Sequence, residues 1–471
     1  MELFISLLPF IVLIAVGIII LFIDVAPRQG RNVIQYVLAL TAIAAAGVLF
    51  FGFFGRAITV LSGVLIYDSL SLLLAMTVLA AAFVLVMLSR PYLEAKRAYR
   101  GGEFYFFVLT ALVGVFGMLF AGNLLVIIVS LEVLSVALYF LAAMDQNDPA
   151  GIEGAVKYFI LGAVALAFTL YGTALVYGFT HALDIDRIAA YTIAAESYPV
   201  YFYIGLIFLF IGFAFKLALV PFHFWAPDAY EGANTLATGI MSVLPKIGAF
   251  AVMFKIVQVF FTTSHVQSTG AVLMWFIAVI AVLSMTAGNF FALTQTSLKR
   301  LFAYSSIVHS GFILSALVAY NGMQAAAFYL IVYAAMTVGV FAVLVYLSGT
   351  NDANLTLQDL NGAAKRHPLV SGLFVFLLAS FAGIPPFAGF FAKFYVFKVL
   401  IDGGHLWLAI VGIINALLAV YYYLKLILAM YTREGAVETK RAALSERLAI
   451  GIAAVAVLAL GIFPSIILKV M

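Results

Sequence analysis

Four ionisable residues stand where an apolar chain has least reason to place them. Glu132 sits near the centre of NLLVIIVSLEVLSVALYFL. Lys216 lies in FAFKLALVPFHFWAPDAYEG, just before Pro221 and His223. Lys246 directly follows Pro245 in GIMSVLPKIGAF, and Lys393 stands seven residues past Pro386 in IPPFAGFFAKFYVF. An ionisable group deep in an apolar segment is costly and is usually functional. A proline inside such a segment frees backbone groups that water or side chains must satisfy. Acids and bases placed in this way can hold and pass protons.

Plainer readings exist for each. Glu132, roughly 14 Å from either end of its run at 1.5 Å per residue, is too short to reach a surface. It could instead be a protonated acid joining two helices by a hydrogen bond. Lys216 could be a structural ion-pair partner of Glu132, and an ion pair that opens is itself a proton switch. Six basic residues fall within apolar runs, Lys157, Lys216, Lys246, Lys255, Lys393 and Lys425, and none is arginine. Lysine can give up its proton when desolvated, whereas arginine effectively cannot. Lys157 could stretch its stem to a surface, and the same reading suits Lys255 and Lys425. His223 follows the break at Pro221, and His309 lies among hydroxyls in AYSSIVHSG. Either suits a proton path or a hydrogen-bonded core position. Asp228 and Glu231 are expected to solvate or cap the segment after the break.

Other chemistries are poorly supplied. With no cysteine, the chain can form no disulfide, thiolate nucleophile or cysteine-ligated iron–sulfur cluster. Six scattered histidines show no metal-ligand spacing. No phosphate-binding glycine motif follows a strand-like run. A net charge of +4 and a pI near 9.0 come without a basic stripe, so nucleic acid is not an expected partner. Any redox chemistry must belong to partner chains.

The elements that position these residues are transmembrane helices. Of 471 residues, 66% are hydrophobic and 9% charged, with a mean hydropathy of +1.19. No water-soluble exterior can be built from that composition. Apolar runs predict spans at 4–23, 33–54, 69–89, 103–121, 123–143, 154–180, 200–220, 236–262, 270–291, 300–319, 323–348, 369–399, 405–431 and 446–468, about fourteen helices in an all-α polytopic membrane protein. Residues 181–199 are expected to form an external connector and 223–235 a short polar segment re-entering the bundle. The first run follows Glu2 rather than a basic region and is long enough to span, so it is expected to be retained rather than cleaved.

Connections after odd-numbered spans hold Arg28, Arg31, Arg90, Lys96, Arg97, Arg100, Lys299, Arg300, Lys365, Arg366, Arg433, Lys440, Arg441 and Arg447. The other connections and tails hold only Arg56, Arg187, Lys398 and Lys469. The positive-inside rule then puts both termini outside the cytoplasm. Moreover, GAVKYFILGAVALAFTLYG (154–172) parallels AAAFYLIVYAAMTVGVFAVL (325–344), and each precedes a proline-interrupted span. Paired breaks in inverted repeats point to a transport site. The expected division is residues 1–102 as three N-terminal helices, 103–262 and 263–431 as five-helix repeats broken near Pro221 and Pro386, and 432–471 as a last helix.

Over most of its length the sequence resembles the antiporter-like subunits of respiratory complex I, the proton-pumping NADH–quinone oxidoreductase. SLEVLSVALYFLAA, EGAVKYFILGAVALAFTLYG, FKLALVPFHFWAPDAYEGAN, SVLPKIGAF, LKRLFAYSSIVHSGF and GIPPFAGFFAKF carry the likeness. It implies that Glu132, Lys216, Lys246 and Lys393 match the family's fifth-, seventh-, eighth- and twelfth-helix proton residues. Of three paralogous types it is most similar to N: the M type has glutamate where Lys393 stands, and the L type continues into a long lateral helix. The resemblance also implies a bacterial-type inner membrane, or an organellar one, and neighbouring antiporter-like and small membrane-arm subunits in the lipid bilayer. NADH, FMN, iron–sulfur clusters and quinone are expected in partner subunits, and no cofactor in this chain. Multi-subunit cation/proton antiporters and membrane-bound hydrogenases use the same module and are the alternative reading.

Overall fold

A computed structural model describes residues 2–25, 30–56, 58–95, 101–145, 147–195, 197–263, 269–348, 355–434 and 443–470. Arg28, Lys96, Arg97, Arg100, His265, Lys440 and Arg441, used above to read charge and metal spacing, lie outside them.

The described residues are nearly all helical. In chain order the helices are α1 (Glu2–Val25), α2 (Arg31–Phe51), α3 (Ser69–Ala95), α4 (Gly101–Phe120), α5 (Leu124–Ala142), α6 (Pro149–Thr180) and α7 (Ile185–Ala194). Next come α8 (Val200–Lys216), α9 (Trp225–Gly232), α10 (Thr235–Thr263), α11 (Thr269–Thr294), α12 (Leu298–Ala316) and α13 (Gly322–Ser348). The last are α14 (Ala363–Arg366), α15 (Pro368–Ala382), α16 (Ala388–Asp402), α17 (Leu406–Thr432), α18 (Leu444–Ile462) and α19 (Pro464–Val470). One feature departs from an all-helical chain: β1 (Ile58–Val60) and β2 (Leu65–Tyr67) form an antiparallel hairpin between α2 and α3. Ser62 and Gly63 take left-handed backbone at its turn, which lets the strands reverse in so few residues.

Among the described residues, eleven helices are long and apolar enough to cross a membrane. The rest of the fourteen expected spans fall short for local reasons. One, 200–220, ends early as α8 ahead of Pro221, and a second is split by proline into α15 and α16. The third, α12, carries the hydroxyl-rich AYSSIVHSG. Every α12 residue except Arg300 is buried, and α10 and α13 are buried along most of their length. A helix apolar or covered all round belongs at a centre, and these three form the inner layer. Exposed apolar side chains on α1, α6, α11 and α17 suit a lipid exterior.

Tight crossings fix the surrounding helices. A Cβ on Gly212 of α8 would stand 1.9 Å from Thr169 Oγ1 of α6, and one on Gly114 of α4 would stand 2.6 Å from the Leu134 nitrogen of α5. Only glycine permits these approaches, as small residues do generally between membrane helices. Bridges from Leu65 to Ala121 and from Asn123 to Asp184 gather the hairpin, the end of α4 and the start of α7 at one end of the bundle.

Candidate functional site

The first break shapes the surroundings of Lys216. The last turn of α8 closes with Leu217 and Leu219 amides donating to Phe213 and Ala214 carbonyls, and Ala218 takes left-handed backbone. The Val220 amide donates to Ser284 Oγ of α11 at 3.0 Å, and Trp225 Nε1 donates across the gap to the Phe215 carbonyl at 2.9 Å. The groups exposed by the break thus find side-chain partners, as a water-poor interior requires. The re-entering segment α9 is more buried than its polar letters suggested, with Trp225, Pro227 and Tyr230 covered.

Lys216 is 3% exposed and donates to Ser135 Oγ at 2.9 Å and Tyr158 OH at 2.7 Å. Ser135 Oγ in turn donates a hydrogen bond to the Leu131 carbonyl at 2.6 Å. Tyr158 stacks on Trp225 with centroids 4.1 Å apart. Glu132, one turn before Ser135 on α5, is half-buried. It makes no ion pair with Lys216 within 4.0 Å, so two neutral hydroxyls hold the ammonium in place of the expected carboxylate.

Lys246 faces α12. It donates to the Ser306 carbonyl and to Ser310 Oγ at 2.6 Å, beneath the ring of Tyr333. Ser310 Oγ also lies 3.1 Å from the carbonyl of Leu217, the residue after Lys216, and thereby joins the two lysine environments. The carbonyl that Pro245 releases one turn back is that of Met241, and Tyr230 OH takes it at 3.4 Å.

His309 shares the face of α12 set by Ser306 and Ser310. Its Nδ1 meets Tyr329 OH at 2.8 Å and its Nε2 meets Tyr423 OH at 3.1 Å, while Tyr423 OH lies 2.6 Å from Ser305 Oγ. A neutral imidazole donates through one nitrogen and accepts through the other, so the chain of hydroxyls has a direction that reverses with the tautomer. Lys393 donates to the carbonyls of Phe381 and Ala382 at 2.9 Å each. These end α15, where unpaired carbonyls and the helix dipole favour a cation. Phe381, whose carbonyl takes Lys393, also has its ring centroid 5.1 Å from the His309 imidazole.

The remaining candidates lie off this axis. Lys157 is exposed and pairs with Glu153 and Asp228 at 2.8 Å each, consistent with a stem stretched to the surface. His223 is buried against Phe224 and Phe291, and its Nδ1 has no hydrogen-bond partner among the described residues. It does not join the His309 network. Asp228 and Glu231 both bind Arg300 Nη1, at 2.8 and 2.9 Å. Lys299, counted above as a loop charge, is buried in the first turn of α12 and donates to the Ala233 carbonyl at 2.8 Å. Lys255 is half-buried, and its ammonium binds the carbonyls at the end of α4. Among the described residues no group of three histidines or carboxylates could hold a metal ion.

Sequence reasoning missed Ser135, Tyr158, Tyr329, Tyr333 and Tyr423. Serine and tyrosine are common in apolar helices, and none of these stands beside a proline. Ser306, His309 and Ser310 carried a usable signal, since spacings of three and four put them on one helical face.

Residues 121–419 match the family model described as NADH:quinone oxidoreductase/Mrp antiporter, TM. The NADH-quinone oxidoreductase subunit N of Thiobacillus denitrificans is 36% identical over 468 residues, covering 98% of this chain and 95% of that one. A chain of respiratory complex I from Thermus thermophilus with bound aureothin superposes with a TM-score of 0.84 at 32% identity, covering 98% of each chain. A chain of the Mrp complex from Dietzia sp. also reaches a TM-score of 0.84, at 21% identity over 100% of this chain and 96% of its own, which shows a shared fold. The match to subunit N covers 98% of this chain, and the family model takes in both broken helices and the central α12, so the chain belongs to the NADH-quinone oxidoreductase subunit N family, an antiporter-like membrane-arm subunit.

Proposed function

We propose that this chain translocates protons across its membrane through Glu132, Lys216, Lys246 and Lys393, driven by quinone reduction in partner subunits. The observation that supports this best is Ser310, which touches both Lys246 and the Leu217 carbonyl beside Lys216. NADH, FMN, the iron–sulfur clusters and quinone belong to those partners, and the membrane-arm subunits pack beside this chain in the bilayer. Two inverted five-helix repeats, 103–262 and 263–431, supply one broken helix each, and both termini lie outside.

In this reading the described arrangement is one state of a switch. Lys216 rests on Ser135 and Tyr158. A change of charge along the membrane arm draws it toward Glu132, and its release returns the proton toward Lys246. His309 and its tyrosines carry the proton across the middle, and Lys393 connects that path to one face of the membrane. Lys157 stands at the edge of the path, and His223 outside it.

Lys216→Ala tests the reading in the assembled complex. The expected result is a strongly reduced proton-to-electron ratio with the complex intact. An unchanged ratio overturns it. The cation/proton antiporter reading predicts instead that activity of the purified complex depends on sodium.

A further inference from the structure

Lys255 repeats the arrangement seen at Lys393. Its ammonium donates to the carbonyls of Leu119 at 2.9 Å and Ala121 at 2.5 Å, the last acceptors of α4, with Met118 at 3.5 Å. Lys393 binds the last carbonyls of α15 in the same manner. A cation tethered to a helix end has a plain structural use, but Lys255 also opens onto space. It lines a cleft of about 330 Å³ beside the hairpin, together with Asp68, Ser71, Asp186 and Gln258. Asp68 is fixed there, accepting from the Ser71 amide and hydroxyl at 2.8 Å each.

Lys255 also lines a second, narrow gap whose other lining side chains are all apolar, Ile127, Leu206 and Leu209 among them. Helices α5, α6, α7, α8 and α10 all contribute to that gap, and α5 and α8 carry Glu132 and Lys216. Leu209 is two turns, roughly 10 Å, from Lys216, and Ile127 is roughly 7 Å from Glu132 at helical rise. Lys255 and Lys246 are nine residues apart on α10, which puts them on opposite faces of that helix. Lys255 therefore serves the Glu132–Lys216 side and not the α12 side.

We propose that Lys255, with Asp68 and Asp186, is a further proton-carrying site, joining the Glu132–Lys216 pair to water at the hairpin end of the bundle. The ammonium gives a proton to a carboxylate or to water in the cleft and becomes an amine. It is recharged by a proton from Lys216, carried by water entering the gap, whose lining has no other polar side chain to pass it. The step moves only a proton, and it rests on the translocation reading above.

The test uses the intact complex in inverted membrane vesicles, with Lys216→Ala measured in parallel. Lys255→Arg keeps the charge and the bonds to α4 but cannot release its proton. It should lower the proton-to-electron ratio to about the value of Lys216→Ala, with normal assembly. If Lys255→Arg pumps like the parent while Lys255→Met fails to assemble, Lys255 is a tether only and the proposal is overturned. If Lys216→Ala also pumps normally, the relay reading fails and takes this site with it. The chain has no native cysteine, so Ser71→Cys offers a second measurement in this subunit. A membrane-impermeant thiol reagent should modify it from the hairpin side alone, and no modification from that side overturns the proposal.

Discussion

Ser310 Oγ lies 3.1 Å from the Leu217 carbonyl, so a helix from the second half of the chain touches the broken end of α8. The same hydroxyl lies 2.6 Å from Lys246 Nζ. One side chain therefore serves as partner to a lysine and to a break that lie far apart in sequence.

Ser310→Ala removes a partner from both. A hydrogen bond to a charged group is worth about 1.5–3 kcal/mol, so proton translocation in vesicles should fall about tenfold or more at that step. Ser310→Thr keeps the hydroxyl and should retain most of the activity. Both rates are to be normalised to the amount of assembled complex.

Tyr423 and Tyr422 are neighbours with different partners. Tyr423 OH meets His309 and Ser305, whereas Tyr422 OH donates to Asn289 Oδ1 at 3.2 Å. Tyr423→Phe should therefore impair proton translocation, and should also cost stability because two buried hydrogen bonds are lost. Tyr422→Phe should loosen the contact of α11 with α17, lowering the thermal midpoint of the solubilised complex while translocation persists.

The approach of α6 to α8 leaves no room at Gly212. Gly212→Val would overpack the crossing, typically at about 1–3 kcal/mol, and displace Lys216 four residues on. A lower yield of folded subunit in mild detergent is the expected outcome, with Gly212→Ala intermediate.

Arg300 holds Asp228 and Glu231 together at 28% exposure, where salt still screens the charges. A double-mutant cycle of Arg300→Gln with Asp228→Asn should give a coupling of about 1 kcal/mol or less. That coupling should shrink in high salt, read as the difference between unfolding midpoints.

The broken helices, the deep lysines and the number of long apolar runs were legible because a bilayer makes each of them conspicuous. Charge in an apolar run and proline in a span stand out against leucine and alanine. What holds Lys216 was not legible, because Ser135 and Tyr158 lie 81 and 58 residues away on other helices. Lys299 was misjudged, and the acceptors of Lys255 were missed, for a related reason. Position in a run says how near a helix end a lysine lies, but not whether a neighbouring helix end offers it carbonyls. Here Ala233 and the end of α4 do so.

The indole that closes the first break has an optical consequence. Of three tryptophans in the chain, Trp275 and Trp407 stack on each other with centroids 5.1 Å apart, at the edge of α11 and α17. Trp225 stands apart from them, bonded to the Phe215 carbonyl and stacked on the tyrosine that holds Lys216. With Trp275 and Trp407 replaced by phenylalanine, the emission of this subunit would come from the break alone. Its wavelength and quenching would then follow, in real time, whether Tyr158 keeps its place against the ring.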